Sequence, residues 1–214
     1  MLLIKASAPG SVMIAGEHAV LRGSDAVAMA INRRLTVTLT ERDDNQWHLI
    51  SQLGEVKCDS QHFPTNKPWQ WIGEILQYFA PSMKHTYNVI IDSEIDSSKG
   101  LGSSAALLVA GIAACYQASH NRRPIPNELI SIAYELLQKI QGMGSGTDLA
   151  ASIFGGVVLY SPNNQTAKRI ADALPHHLVY SGSKTPTADV ITWVNQQNNT
   201  ELEVIYHRIS ELVP

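Results

Sequence analysis

Hydrophobic and polar positions alternate strictly over Leu35–Thr40 (LTVTLT), which predicts a strand with one buried face. Two short strands are expected after it, Trp47–Ser51 and Glu55–Cys58, across polar turns at Asp43–Asn45 and Leu53–Gly54. The period then changes. Trp69, Ile72, Ile75, Leu76 and Phe79 recur at helical spacing, so a helix is predicted over Trp69–Ala80, stopped by Pro81. Tyr87–Ile91 is apolar and β-branched and reads as a buried strand, and Ser103–Ser119 as a helix of small residues. Asn127–Ile140 predicts an amphipathic helix with Asn127 as its cap and Ile130, Tyr134, Leu137 and Ile140 on one face. Gly156–Tyr160 (GVVLY) is one more strand, and the whole pattern is α+β or α/β rather than a repeat array.

Beyond the loop Ser161–Gln165 (SPNNQ) a second unit is expected, with a strand at Leu178–Tyr180 and helices near Pro186–Gln197 and Glu201–Leu212. Pro186 opens the first of these helices, and a capping box, Thr200-x-x-Glu203, opens the second. The expected division is residues 1–165 and 166–214. One strand and two helices do not complete a sheet, so the second unit is expected to stop partway.

Composition narrows the function classes. Hydrophobic residues make up 44% of the 214 positions and charged ones 16%, which excludes a disordered linker. A net charge of −3 gives no footprint for a nucleic-acid backbone. Cys58 and Cys115 cannot frame a disulfide scaffold or a cysteine-rich zinc site. The longest apolar stretches, such as Ala105–Cys115, fall short of the roughly 20 residues a membrane span needs, and no leader pattern follows Met1. A cytoplasmic protein with a small-molecule partner is expected, without nucleic acid or membrane; a homodimer is left open.

Three glycine-bearing segments carry the candidate chemistry. Lys99-Gly100-Leu101-Gly102-Ser103-Ser104-Ala105-Ala106 opens a helix after a polar loop. Its glycines let a ligand approach the backbone, and the helix N-terminus favours a phosphate. The hydroxyls of Ser103 and Ser104 suit Mg²⁺ or phosphate oxygens. The Walker pattern is absent. Gly100-x-Gly102-x-x-Ala105 matches the dinucleotide fingerprint formally, but Glu94–Gly100 separates it from the strand and no acidic residue follows about 20 positions on.

In the second segment an apolar strand, Val12–Ala15, ends at Gly16 and presents Glu17 and His18 at its tip. That pair suits hydrogen bonding to a polyhydroxylated or carboxylated small molecule, although in isolation a Glu-His pair is better read as a first helical turn with Glu17 favoured by the dipole. In the third, Gln141-Gly142-Met143-Gly144-Ser145-Gly146-Thr147-Asp148, a flexible loop presents a single carboxylate. Asp148 is suited to accept a proton from a substrate hydroxyl, or to cap Leu149–Phe154.

Taken in order, the segments resemble the GHMP small-molecule kinase family (galacto-, homoserine, mevalonate and phosphomevalonate kinases). Pro9-Gly10 through Gly16-Glu17-His18-Ala19-Val20-Leu21 resembles its first motif, Lys99–Ala106 its phosphate loop, and Ser145-Gly146-Thr147-Asp148 followed by Gly155-Gly156 its acidic catalytic loop. The likeness runs from about Lys5 to Tyr160, and Gly16–Val20 is nearest to the members that phosphorylate mevalonate. The resemblance implies an α+β fold of two domains. The first is like domain 2 of ribosomal protein S5, with a left-handed β-α-β crossover; the second is ferredoxin-like and here incomplete. It implies ATP across Lys99, Gly100, Leu101, Gly102, Ser103 and Ser104, Mg²⁺ at Ser104, substrate against Glu17 and His18, and Asp148 at the reacting hydroxyl.

The chain also departs from the family. Ser11 stands where the mevalonate-phosphorylating members carry Lys after Pro-Gly, and Leu137 where a Mg²⁺-binding carboxylate precedes the catalytic Asp by eleven residues. Glu135 lies about 200° around the same helix from Leu137. The family's C-terminal glycine-rich motif has no counterpart after Gly182, and Asp96 replaces a Pro upstream of the phosphate loop. Two accounts are open: the N-terminal part of a longer kinase, or a divergent homologue that binds nucleotide or metabolite with weakened chemistry. Phosphomevalonate and sugars are the alternative substrates.

Overall fold

A computed structural model of the chain describes residues 3–183, 185, 187–196 and 200–213. Its strands are β1 (Leu3–Ala15), β2 (Ala26–Arg42), β3 (Trp47–Ser51), β4 (Gly54–Cys58), β5 (Thr86–Ser93), β6 (Val157–Ser161) and β7 (Thr166–Ala171). Its helices are α1 (Gln70–Phe79), α2 (Ser103–His120), α3 (Pro126–Gln141), α4 (Thr147–Phe154), α5 (Thr187–Gln196) and α6 (Thr200–Ser210). The alternation read at 35–40 is the second half of β2, the spine of a seven-stranded sheet. β1 runs antiparallel along one edge of β2. On the other edge, Ala26–Met29 pair with β6 and Leu35–Arg42 with β5. β3 is parallel to β5 and antiparallel to β4, while β7 extends β6, so the sheet continues through Ala171.

Alternation explains the core. Leu35, Val37 and Leu39 of β2, Trp47 and Leu49 of β3, and Tyr87 and Val89 of β5 are buried on one face. Each such side chain contributes about 1.5–3 kcal/mol relative to exposure. α2 packs across β1 and β2, with α1 and α3 beside it and α4 on β1, β2 and β6. The small residues read in α2 have that purpose: Ala105, Ala106, Ala110 and Ala114 are buried and let the helix lie close to the sheet.

Gly73 of α1 makes a similar close approach, since a Cβ there would stand 2.0 Å from the Pro64 carbonyl oxygen. Backbone cannot yield as a side-chain tip can. Gly73→Ala is therefore expected to destabilise the chain by about 1–3 kcal/mol, read as a lower urea midpoint; an unchanged midpoint would disprove this packing.

Several expectations need correction. Leu178–Tyr180 is not a strand: it pairs with no strand among the described residues and its side chains are 45–92% exposed. Asn127 is not the cap of α3. The helix begins at Pro126, whose missing N–H suits that place, and Ile125 is the extended cap residue. Glu128 reaches back to accept from Ile125 N at 3.0 Å. It also accepts from Arg122 and Tyr116, and the Arg122 guanidinium above all holds its carboxyl down at about 2. This clamp fixes how α3 leaves α2, and so where α3 delivers the loop before α4. Pro186 and the Thr200 side chain of the expected capping box lie outside the described residues, although α5 and α6 themselves are present.

Candidate active site

β1 changes register between Pro9, opposite Arg34, and Ser11, opposite Ala30. Such a bulge bends a strand and re-aims a side chain. Gly10 sits in it with its backbone against the phosphate-loop segment: a Cβ would lie 2.4 Å from the Leu101 carbonyl oxygen. Ser11 N donates to that same oxygen at 3.1 Å. Gly102, in a left-handed conformation at φ 69°, meets Ser11 from the other side, where a Cβ would be 2.0 Å from Ser11 Oγ. The first two glycine segments are thus in backbone contact.

The third segment joins them through α4. Ser11 Oγ donates to Asp148 Oδ1 at 2.7 Å across 137 residues of sequence. One turn along, the buried Ser152 donates Oγ to the Pro9 carbonyl oxygen at 2.9 Å, pinning α4 to the bulge. Gly146, not Asp148, is the cap residue of α4, so Asp148 stands in the first turn with its side chain committed to Ser11. The Asp148 carboxyl remains open to solvent. Even so, the protein packed around it penalises the charged form and raises its pKa above the usual carboxylate range. The Ser11 hydrogen bond pulls weakly the other way.

The phosphate-loop residues present backbone. Gly100 is left-handed at φ 70°, and space for a Cβ beside it is open to 4 Å. α2 has no side-chain cap, and its first backbone bond runs from Ala106 N to Gly102 O at 2.9 Å. The amides of Ser103, Ser104 and Ala105 precede that bond at the positive end of an 18-residue helix. Ser104 is exposed, Leu101 and Ser103 are half-buried, and Lys99 is exposed with its ammonium 3.3 Å from Asp96.

Glu17 and His18 follow β1 directly, where Gly16 passes so close to Ala26 that a Cβ would meet its Cα at 2.8 Å. His18 has φ 59° and ψ −41°, a sparsely populated positive-φ conformation that costs a non-glycine residue about 1–3 kcal/mol and is often kept at functional sites. It lines a cavity of about 330 Å³ together with Tyr134, Met143 and Gly144, so His18 and the loop leading to Asp148 share one space. Glu17 is exposed and does not line it. Leu137 packs beneath the loop, 3.0 Å from where a Gly144 Cβ would be, and Glu135 is exposed elsewhere on α3.

A family model, GHMP kinases N terminal domain, matches residues 67–156. Over 181 residues the chain is 34% identical to a mevalonate kinase of Methanothermobacter thermautotrophicus, covering 83% of this chain and 57% of that enzyme. Residues 67–156 thus carry the N-terminal domain of the GHMP kinases. A second mevalonate kinase, from Saccharolobus solfataricus, is 28% identical over 213 residues, or 95% of this chain and 66% of that one. The chain thus spans 57–66% of the length of these two relatives. Its fold matches the Methanococcus jannaschii mevalonate kinase structure (TM-score 0.76, 21% identity, 99% of this chain and 71% of that one). It also matches the Lin0012 protein of Listeria innocua (TM-score 0.82, 21% identity, 99% and 71%). The two-layer α+β arrangement is therefore the GHMP kinase fold.

Within this site, sequence reasoning treated Ser11 only as a departure from pattern, whereas the structure makes it the junction of all three segments. Ser152 was missed altogether. A lone serine in the otherwise apolar run Leu149–Phe154 was the one local signal for it. Among the described residues no group of three or more His, Cys, Asp or Glu side chains could hold a metal, and none forms a helix long and apolar enough to cross a membrane.

Proposed function

We propose that this chain carries the nucleotide- and acceptor-binding apparatus of an ATP-dependent small-molecule kinase, with mevalonate as acceptor and 5-phosphomevalonate as product. One observation carries the reading: the 2.7 Å hydrogen bond from Ser11 to Asp148, which ties a carboxylate to the residue packed against Gly102 at the uncapped α2 N-terminus. The phosphates fit there, because Gly100 leaves open space and three first-turn amides face it. Asp148 orients the acceptor hydroxyl and takes up its proton; its raised pKa makes it a better proton acceptor than an ordinary carboxylate. Glu17 and His18 hold the acceptor, and Lys99, Gly100, Leu101, Gly102, Ser103 and Ser104 the donor. Residues 1–165 hold the nucleotide-binding unit, whose sheet β7 continues through Ala171, and the second unit begins beyond it. The same reading places the enzyme in the cytoplasm.

Magnesium fits this site only together with nucleotide. The protein offers the Ser104 hydroxyl and the Asp148 carboxylate, and Leu137 fills the place of a second acid. Mg²⁺ is commonly held by one or two protein oxygens plus substrate phosphates, where it neutralises charge on the transferring group. Mg²⁺ alone is therefore expected to leave the melting temperature unchanged, and Mg-ATP to raise it by several degrees. A shift with Mg²⁺ alone would mean a protein-built metal site and would contradict this account.

The decisive assay supplies Mg-ATP with mevalonate, phosphomevalonate, galactose or homoserine and detects phosphorylated product by mass. Product from mevalonate alone is the expected result. A second reading rests on Ser11 and Leu137: without the family's cation and second acid, the chain would bind nucleotide without turnover. Stabilisation by Mg-ATP with no product from any acceptor would establish that reading and overturn the first.

A further inference from the structure

The cavity beside His18 has a wall that the family motifs do not describe. It is closed by the last helices of the chain. Ile191 of α5 and Tyr206 of α6 are 8% and 6% exposed, against the short turn Ala19–Arg22 and the end of α3. Within that wall lies Arg22. Its guanidinium rests over the Tyr206 ring, 4.0 Å from the centroid, and its Nη2 is 3.2 Å from Glu203 Oε1. His18 faces the same ring at 6.3 Å. Of the residues lining the cavity, Arg22 alone carries a permanent positive charge, and no carboxylate is among them.

We propose that Arg22 is the specificity residue for an acceptor bearing a carboxylate, and that Glu203 holds its guanidinium in place until the acceptor arrives. The inference rests on the kinase reading and deepens it. Volume supports it, since about 330 Å³ admits a small hydroxy acid and lies at the lower end of ordinary ligand cavities. Chemistry supports it as well. A guanidinium offers a planar fork that matches a carboxylate bidentately, and stacking on Tyr206 fixes its plane. Exchange is easy because the Glu203 side chain is 64% exposed, and an exposed ion pair contributes little. A substrate carboxylate inside the cavity is less screened and replaces Glu203 without leaving the guanidinium unpaired. Glu203 is thus a stand-in for the anion of the substrate, carried on a helix that closes the cavity.

The test compares the unaltered chain with Arg22→Gln and Glu203→Gln, using mevalonate and its neutral primary amide, which keeps the reacting hydroxyl. The unaltered chain is expected to prefer the acid at least tenfold in KM. Arg22→Gln should raise KM for mevalonate at least tenfold, with a smaller change in kcat, and abolish the preference over the amide. Glu203→Gln, which leaves Arg22 unoccupied, should lower KM for mevalonate severalfold. The Mg-ATP thermal shift of each variant reports whether it is folded. Normal turnover of mevalonate with the same acid-to-amide ratio in folded Arg22→Gln overturns the Arg22 assignment alone. A rise in KM on Glu203→Gln also overturns it, since Glu203 would then be aiding the acceptor. No binding or turnover of mevalonate by the unaltered chain overturns the kinase reading and the inference together.

Discussion

Replacing Asp148 with Asn is expected to cut phosphoryl transfer by about 10²–10⁴-fold while leaving the melting temperature at neutral pH equal to or above that of the unaltered chain. Both halves come from one cause. Packing around Asp148 raises its pKa in the folded state, so the ionised form present at neutral pH is held at a cost to folding. The sign follows from proton binding. The folded state binds this proton more tightly than the unfolded state, so the favourable contribution is complete below the unfolded pKa and is lost as pH rises through the folded one. Asn removes the charge, keeps an oxygen to accept from Ser11 Oγ, and so removes this pH dependence. Scanning calorimetry between pH 4 and 7 should show the unaltered chain losing stability relative to Asp148→Asn as pH rises. A variant that is less stable at every pH would show that Asp148 is a structural cap, and undiminished turnover would remove it from the chemistry.

Local period revealed most of the fold because one face of each element is buried. Leu35–Thr40 alternates since Leu35, Val37 and Leu39 face the helices and the threonines do not. What was missed has no local period. The part of β1 before Val12 contains Pro9 and Gly10, which ordinarily end strands; here they make the bulge against the phosphate loop at Leu101. β7 is an edge strand with mostly exposed side chains, so its sequence carries little alternation. Leu178–Tyr180 has strand-forming residues but no neighbour to pair with among the described residues, and propensity without a partner does not make a strand.

The candidate site divides in the same way. Glycines at 100 and 102 and the carboxylate at 148 could be singled out because turn chemistry and helix starts are local. That Ser11 joins them could not, because the contact spans 137 residues. Arg22 carries no local signal either, because its partners Tyr206 and Glu203 come from α6, far along the chain.

The glycine at 102 should be the least replaceable residue of the phosphate loop, and Gly100 is its control. Both are left-handed, at φ 70° and 69°, so an alanine at either place meets the same backbone penalty of about 1–2 kcal/mol. Their surroundings differ. Nothing lies within 4 Å of a Cβ at Gly100, whereas one at Gly102 would be 2.0 Å from Ser11 Oγ and 2.7 Å from Ser11 N. The side chain could rotate away; the backbone nitrogen is held by its bond to Leu101 O. Overpacking of this kind adds about 1–3 kcal/mol, so Gly102→Ala should cost about 2–5 kcal/mol out of the 5–15 typical of a whole domain. Any folded Gly102→Ala protein should also lose the Ser11–Asp148 hydrogen bond, and with it most turnover. Gly100→Ala should keep the Ser11–Asp148 hydrogen bond, since no contact is broken, and should instead weaken Mg-ATP binding, because its Cβ enters the space left for the phosphates. Urea midpoints and Mg-ATP thermal shifts on the two variants separate the effects. Equal losses in both would mean that left-handed geometry alone matters and that Gly102 does not hold the phosphate loop against β1.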